Sequence, residues 1–154
     1  MPEVAVILRR VDGDREPFVP LLLEADESES ILRDYLDDGE LHELLSQGVS
    51  VGVVLLIAMK SDELEIKNIA LAAEHRGRGL GRAAIRAIAE YARTQGCQRL
   101  SVGTADSSTG TLAFYRACGF DAAGRDEGFF DGYPEPVIEH GVEAHDMIRF
   151  AMPL

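Results

Sequence analysis

The chain has 154 residues, 46% of them hydrophobic and 27% charged, with a formal net charge of −12 at pH 7. This composition predicts a single packed domain spanning residues 1–154 and excludes a disordered chain. The negative charge argues against a nucleic-acid partner, because the phosphates would be repelled. Residues 24–40 carry eight acidic residues and one basic residue, Arg33. That stretch indicates either a solvated helical face or a surface that attracts a cationic substrate.

The cysteines and the N-terminal residues indicate a reducing compartment. Cys97 and Cys118 form neither a Cys-x-x-Cys pair nor a disulfide framework, so we interpret them as small buried thiols. The apolar run at residues 4–8 is too short for the core of a signal peptide or for a membrane span. We therefore expect a cytoplasmic protein with no membrane partner.

The first half of the chain predicts a strand, two helices and a three-stranded meander. Pro17 marks the start of the first helix, and apolar residues at helical spacing predict a second helix that ends at Gly39. The predicted strands lie at residues 4–9, 41–47, 51–60 and 63–72. In the last of them, the alternation predicts that four residues share one face: Leu64, Ile66, Asn68 and Ala70.

The second half predicts a βαβ unit and a C-terminal pair of strands. An apolar stripe predicts a helix at residues 80–95. A strand at residues 99–104 and a helix from Ser107 or Ser108 to Cys118 follow. Residues 120–154 predict a strand, a long connection and a final strand. A meander followed by a βαβ unit predicts a mixed sheet in an α/β (α+β) fold.

Residues 74–84, EHRGRGLGRAA, place three glycines among arginines where a helix begins. Glycine lets the backbone approach a bulky anion without Cβ clashes, and the unpaired N–H groups of a first helical turn attract negative charge. The pattern therefore predicts a pyrophosphate site. The Lys-Ser/Thr ending of a nucleotide P-loop is absent, and Arg82 stands where a dinucleotide fingerprint has its last glycine. These departures disfavour a nucleotide-binding module.

Two motifs resemble the signatures of the GNAT N-acetyltransferase superfamily. Arg76, Gly79 and Gly81 form an Arg-x-x-Gly-x-Gly pattern after the strand residues NIAL (68–71), which resembles the coenzyme A signature. Residues 112–120, LAFYRACGF, resemble the second signature, a helix with a tyrosine and a closing Gly-Phe. The resemblance implies the GNAT fold, a mixed and mostly antiparallel central sheet of six to seven strands flanked by about four helices.

A narrower likeness is to a small bacterial subgroup of aminoglycoside-acetyltransferase-like GNAT proteins. It rests on the segments KNIA, GTADSS, EPVIE and DMIR, which begin at residues 67, 103, 135 and 146. Two positions depart from the pattern. Asp106 replaces an asparagine that is usual before the paired serines, and Ser108 stands where many GNAT enzymes carry an asparagine that contacts the cofactor.

The resemblance implies an acetyl-CoA-dependent N-acetyltransferase that acts on a primary amine by direct attack in a ternary complex. A non-catalytic coenzyme A-binding domain and a different acyl donor are the alternatives. Tyr115 matches the general acid of the family, unless it is only a core aromatic. Glu65, eleven residues before Arg76, stands where some GNAT enzymes carry a catalytic glutamate, or is a surface carboxylate beside Lys67. The implied cofactor-binding residues are Ile69, Ala70, Leu71, Arg76, Gly77, Arg78, Gly79, Leu80, Gly81, Arg82, Ser108 and Tyr115.

The acceptor side is predicted from residue types alone. Glu139 and Asp146 are suited to hold the amine of an acceptor. His140 and His145 lie near them, but their spacing fits no metal motif, so we expect no metal. The acidic stretch at residues 24–40 favours a small cationic amine or a peptide amine as the partner. The resemblance also implies a homodimer.

Overall fold

A seven-stranded sheet lies at the centre of the computed structural model, which describes residues 4–154. The strand order is β1-β2-β3-β4-β5-β9-β6. These strands are β1 (Ile7–Arg10), β2 (Glu40–Ser46), β3 (Val49–Met59), β4 (Glu63–Leu71), β5 (Arg99–Ala105), β6 (Asp121–Asp126) and β9 (Met147–Pro153). Strands β4 and β5 are parallel, and the other neighbours within residues 4–154 are antiparallel.

Four α-helices flank the sheet: α1 (Val19–Leu22), α2 (Glu29–Tyr35), α3 (Leu80–Thr94) and α4 (Thr109–Ala117). Pro17 lies in a 3-10 turn, Glu16–Phe18, that leads into the short α1. Ser28 caps α2 by accepting a hydrogen bond from the Ile31 N–H at 3.3 Å. The mixed, mostly antiparallel sheet and the four helices confirm the predicted fold class. None of the helices within residues 4–154 combines the length and apolarity needed to span a bilayer.

A small hairpin precedes the last strand and was not predicted. It pairs β7 (Ile138–Glu139) with β8 (Val142–Glu143), and His140 and Gly141 form its turn with φ of 51° and 79°. Two-residue strands are too short to produce a periodic pattern, which is why the sequence predicts only a long connection here. The hairpin is nonetheless anchored, because Val137 and Ala144 at its base are buried and joined by a main-chain hydrogen bond of 2.7 Å.

Two hydrophobic clusters cover opposite faces of the sheet. Alternate residues of β3 point to opposite faces, and Val54 belongs to the cluster under α3 and α4, whereas Leu55 belongs to the cluster under α1 and α2. Phe120 and Phe150 are among the largest fully buried side chains of the first cluster. Both cysteines are free thiols and only half-buried, so the prediction that they are buried is wrong.

A β-bulge at Lys67 interrupts β4. Leu55 pairs with Asn68, whereas the next residue of β3, Leu56, pairs with Ile66, so Lys67 has no partner of its own. An extra residue of this kind bends the strand and exchanges the faces to which the following side chains point. The buried side chains of β4 therefore pack on one face of the sheet before residue 67 and on the opposite face after it.

The prediction that four residues of β4 share one face is wrong for this reason. Leu64 and Ile66 pack in the cluster under α3 and α4, but Ala70 packs in the cluster under α1 and α2. Asn68 also faces the second layer, where its Nδ2 donates to the Leu22 carbonyl at 3.1 Å. A bulge leaves no mark on the alternation of apolar and polar residues, because all four side chains are still buried.

Strands β4 and β5 separate beyond the bulge. Their pairing runs from Glu63 with Arg99 to Ile66 with Val102 and stops there. Beyond that point β4 keeps its ladder with β3, and β5 keeps its ladder with β9, up to Leu71 and Ala105 respectively. The facing main-chain groups of the two strands thus border a gap in the middle of the sheet.

Candidate active site

A glycine-containing loop follows β4 and ends at α3. Gly77 and Gly79 adopt left-handed φ values of 76° and 77°, which side chains other than glycine rarely tolerate. A Cβ added at either residue would meet no heavy atom within 4 Å. The outer face of the loop is therefore open, and glycine is required here by the backbone conformation rather than by neighbouring atoms.

The N-terminus of α3 follows the loop directly and lies at that open face. The first helical hydrogen bond runs from the Ala83 N–H to the Gly79 carbonyl at 3.2 Å, so the N–H groups of Leu80, Gly81 and Arg82 precede it. The first turn contains no acidic residue. Free N–H groups, the helix dipole and the Arg82 side chain together fit a pyrophosphate.

The side chains of Arg76 and Arg78 both contact other groups of the protein. Arg76 donates from Nε to the Leu71 carbonyl at 3.1 Å, and its Nη2 lies 2.8 Å from Glu24 Oε1. Arg76 therefore connects the loop to the end of β4. Arg78 contacts the Nδ1 of His75 within the same loop. The predicted direct contacts of both arginines with the cofactor stay predictions.

Helix α4 packs closely against the start of α3. A Cβ built on Gly81 would lie 3.2 Å from the Phe114 ring, so glycine permits this approach. The next residue, Tyr115, is 5% exposed, and its ring lies 5.6 Å from Phe120 and 6.2 Å from Phe150 between centroids. Burial, with the nearby Cys118 thiol, raises the pKa of Tyr115. Its hydroxyl therefore carries its proton at neutral pH and can donate it.

Ser108 and Glu139 were predicted in different roles and lie together. Ser108 is the N-cap residue of α4, but its hydroxyl does not cap the helix. The hydroxyl instead donates to the Glu139 carboxylate, at 2.7 Å from Oε2 and 2.8 Å from Oε1. Glu139 is brought there by the β7–β8 hairpin, which the sequence did not reveal.

The other two predicted carboxylates are paired with arginines. Glu65 is largely buried, with its side chain 14% exposed, and its Oε2 lies 3.2 Å from Arg149 Nη1. Asp146 accepts from Arg125 at 2.6 Å and from the Gly128 N–H at 2.9 Å. That N–H, followed by Arg125, lowers the pKa of Asp146. Asp146 thereby fixes the turn after β6.

An acidic cleft opens on the α2 side of the molecule. It has a volume of about 270 Å³. Its lining brings Glu27 and Glu29 at the start of α2 together with Glu135 and Tyr133 from the segment before β7. The acidic stretch at residues 24–40 indicated the first half of this lining in advance, whereas the second half was apparent only in the fold.

A hydrogen-bonded chain connects the cleft to β4. The hydroxyls of Tyr133 and Tyr35 donate to Asp26, at 3.3 Å and 2.8 Å, and Asn68 Nδ2 donates to the Tyr35 hydroxyl at 3.0 Å. Asn68 follows the bulge at Lys67 directly. The wall of the acidic cleft is thus tied to the strand that borders the gap.

No group of three His, Cys, Asp or Glu side chains among residues 4–154 is arranged to hold a metal ion. His145 Nδ1 lies 3.5 Å from Asp131, and Glu139 is engaged by Ser108 instead. The two predicted substrate carboxylates and their neighbouring histidines therefore make separate contacts.

Comparisons with known proteins identify the family of the chain. The sequence profile of the Acetyltransferase (GNAT) family matches residues 10–120. The uncharacterised N-acetyltransferase YvbK of Bacillus subtilis (strain 168) is 33% identical over 135 residues, which cover 87% of each chain.

Two solved structures share nearly the whole fold. The IAA acetyltransferase from Bacillus cereus ATCC 14579 superposes with a TM-score of 0.87 at 36% identity, over 97% of this chain and 100% of that one. A GNAT family acetyltransferase from Elizabethkingia anophelis with acetyl-CoA bound gives a TM-score of 0.86 at 34% identity, over 98% of both chains. GNAT acetyltransferases use acetyl-CoA, and the open glycine loop at the start of α3 fits its pyrophosphate. The chain belongs to the GNAT acetyltransferase family and is an acetyl-CoA-dependent N-acetyltransferase.

Proposed function

We propose that the protein acetylates a primary amine of a small cationic acceptor, by direct attack in a ternary complex. The observation that carries this proposal is the acidic cleft, whose wall is linked to β4, a strand that borders the gap, through the chain of Tyr133, Asp26, Tyr35 and Asn68. The chain thus combines an open anion site at the start of α3 with a cleft lined by three carboxylates. Those charges suit a cofactor with phosphates and an acceptor with ammonium groups.

The cofactor supplies the acetyl group as a thioester. The N–H groups at the start of α3 hold its pyrophosphate. The main chain of Ile69, Ala70 and Leu71, which borders the gap, positions the pantetheine arm, and an N–H near Ile69 polarises the thioester carbonyl. Tyr115 gives its proton to the departing sulfur, and the raised pKa of its hydroxyl keeps that proton available.

The cleft selects the acceptor by charge. Glu27, Glu29 and Glu135 attract an ammonium group distant from the reacting amine, so an acceptor with at least two basic amines is favoured over one with a single amine. An acceptor carrying a carboxylate is disfavoured, because like charges repel. A basic peptide segment meets the same requirement as a small polyamine.

The test is amine-dependent release of coenzyme A thiol with three acceptors of equal length: a linear diamine, the corresponding monoamine and the corresponding amino acid. We expect kcat/KM to fall in that order, by up to about fivefold at each step, since one partly exposed charge contact contributes up to about 1 kcal/mol. Mass spectrometry of the product should show one added acetyl group. Equal rates for the diamine and the amino acid, or no amine-dependent thiol release, would contradict the proposal.

The homodimer implied by the resemblance is also a proposal. Strand β6 forms one edge of the sheet and is exposed along its whole length, so it is accessible to a second copy. Light scattering of the purified protein measures the mass directly, and a monomeric mass at micromolar concentration would reject a stable dimer.

A further inference from the structure

Three carboxylates are candidates for the base that deprotonates the acceptor, and they differ in their partners. Glu65 lies 3.2 Å from Arg149, and Asp146 lies 2.6 Å from Arg125. Within the described part of the chain, Glu139 forms no ion pair, and its recorded partner is the neutral hydroxyl of Ser108. Of these three carboxylates, Glu139 is therefore the one that has no arginine partner among residues 4–154.

Ion pairing matters because a base must become neutral during the reaction. A proton on Glu65 would leave Arg149 with a weaker partner, and one on Asp146 would do the same to Arg125. Protonation of Glu139 would not weaken an ion pair, because its recorded partner is the neutral Ser108 hydroxyl. A serine hydroxyl both donates and accepts, so Ser108 can turn and accept a hydrogen bond from the protonated carboxyl.

The position of Glu139 joins the two halves of the proposed site. It lies two residues after Val137, which lines the acidic cleft. Its partner Ser108 is the N-cap residue of α4, the helix that carries Tyr115, and follows shortly after the end of β5 at Ala105. The hydrogen bond between Ser108 and Glu139 thus connects the segment that lines the acceptor cleft with the helix that carries Tyr115.

The hairpin holds Glu139 firmly. Val137 and Ala144 at its base pack with Ala105 and Phe130 in a third buried cluster. The left-handed turn at residues 140–141 closes it, and the ladder pairs Glu139 with Val142. A carboxylate on a packed hairpin keeps the fixed geometry that proton transfer requires.

We propose that Glu139 is the general base of the transfer, and that Ser108 orients its carboxylate. This inference rests on the proposed function. The Glu139 carboxylate takes one proton from the acceptor ammonium, and the nitrogen lone pair then forms the C–N bond with the acetyl carbonyl carbon. As the C–S bond breaks, the sulfur receives the Tyr115 proton, and Tyr115 regains one from the new amide nitrogen. Glu139 returns its proton to solvent, so the reaction releases one proton overall.

The decisive variant is Glu139→Gln, because the amide oxygen still accepts from Ser108 but no longer serves as a base. We expect kcat to fall by about 10²- to 10³-fold with an alkyl amine at neutral pH. The matched control is Glu143→Gln on the same hairpin, which removes an equal charge from an exposed residue and should stay within about twofold of the wild type. Ser108→Ala should show a smaller loss of about tenfold.

The loss of activity in Glu139→Gln, compared between two acceptors, distinguishes a general base from a residue that only binds the acceptor. An alkoxyamine is already neutral at pH 7, so its acetylation should fall by less than about fivefold in Glu139→Gln. For the alkyl amine, the deficit should shrink as pH rises toward the amine pKa of about 10. Calorimetry should give Glu139→Gln a Kd for acetyl-CoA within about twofold of the wild type.

Three outcomes would overturn the inference: an unchanged kcat in Glu139→Gln, an equal loss for both acceptors, or a rise in KM for the alkyl amine alone. The last result would make Glu139 a residue that only holds the ammonium group. A wild type that binds acetyl-CoA but acetylates neither acceptor would instead refute the proposed function, and the base assignment with it.

Discussion

The two sides of the gap between β4 and β5 are built in different ways. The proposed cofactor side is formed by one continuous stretch, from the end of β4 through the glycine loop to the first turn of α3, and the binding groups that we propose there are main-chain N–H groups. The proposed acceptor side combines three remote segments, near residues 27, 108 and 135, and the binding groups that we propose there are side chains. The cofactor side therefore depends on backbone conformation, and the acceptor side depends on tertiary packing.

This difference explains which residue substitutions each side tolerates. A backbone site needs glycine at fixed positions and binds the part of a cofactor that is common to all reactions. A side-chain site assembled from loops tolerates substitution, and it determines which acceptor is chosen. The comparison predicts that changes on one side affect the KM of one substrate and spare the other.

Tyr115 is buried in α4 beside Phe120 and Phe150, and of the variants that follow its replacement should give the largest effect on turnover. Tyr115→Phe keeps the ring contacts with Phe120 and Phe150 but removes the proton donor. We expect kcat to fall by about 10²-fold, with both KM values within about threefold of the wild type. Because burial raises the Tyr115 pKa, the Tyr115 hydroxyl of the wild type should stay protonated up to pH 10, the ordinary tyrosine pKa.

Steady-state kinetics between pH 6 and about pH 10 test this prediction. Tyr91→Phe is the matched control, since it also removes one hydroxyl but lies in α3, where that hydroxyl donates to Glu40. A Tyr115→Phe enzyme as fast as the control would assign Tyr115 to the core alone.

The acceptor side should respond to charge at a moderate scale. Replacing Glu27, Glu29 and Glu135 together by glutamine should raise the KM for a diamine by about tenfold, because three partly exposed contacts each contribute a fraction of a kcal/mol. The KM for acetyl-CoA should not change. Added salt should raise the diamine KM of the wild type more than that of the triple variant, because salt screens exposed charges.

A control variant carries the same charge change outside the cleft and outside the acidic stretch, with asparagine at Asp12, Asp62 and Asp121, all of which are exposed. If that variant raised the diamine KM as much as the cleft variant, overall charge rather than the cleft would determine acceptor binding.

The smallest predicted effect concerns the face of the sheet under α3, away from the acceptor cleft. Glu40 accepts a hydrogen bond from the Tyr91 hydroxyl and lies 3.0 Å from His42 Nε2. Burial alone would raise the Glu40 pKa, but the bonds from Tyr91 and His42 outweigh it and leave the pKa lowered. A lowered folded-state pKa contributes stability above the unfolded value of about 4.3, and that stability is lost as pH falls.

Glu40→Gln should therefore lower the free energy of unfolding by about 1 kcal/mol at pH 7, and by clearly less near pH 3. Urea unfolding at both pH values measures the difference. Kinetic constants for both substrates should be unchanged, which would separate this cluster from the two sides of the gap. A deficit that is equal at the two pH values would contradict the electrostatic explanation.

The sequence predicted what is local and missed what depends on distant contacts. The left-handed glycines and the start of α3 at Leu80 follow from a single short motif, so the conformation of the glycine loop could be predicted. The bulge at Lys67 could not, because it arises from the pairing of β4 with β3. The same holds for the ion pair between Glu65 and Arg149, two residues that are 84 positions apart.

The acceptor side shows the same limit. The acidic stretch was visible, Ser108 was singled out by the resemblance, and Glu139 was singled out by its residue type. Their contact could not be predicted, because it depends on a hairpin of two-residue strands that residue periodicity does not reveal. Reasoning from residue types thus identified the groups, and only the fold showed which of them meet.

The central claim is that the backbone of the glycine loop binds the cofactor. Calorimetric titration of acetyl-CoA into the wild type, Gly79→Glu and Gly48→Glu tests it most directly. Gly48 is the matched control, since its φ of 78° and its open surroundings equal those of Gly79, in the turn between β2 and β3. We predict micromolar binding by the wild type and by Gly48→Glu, and binding at least about 10²-fold weaker by Gly79→Glu. Equal affinity in all three proteins would contradict the account.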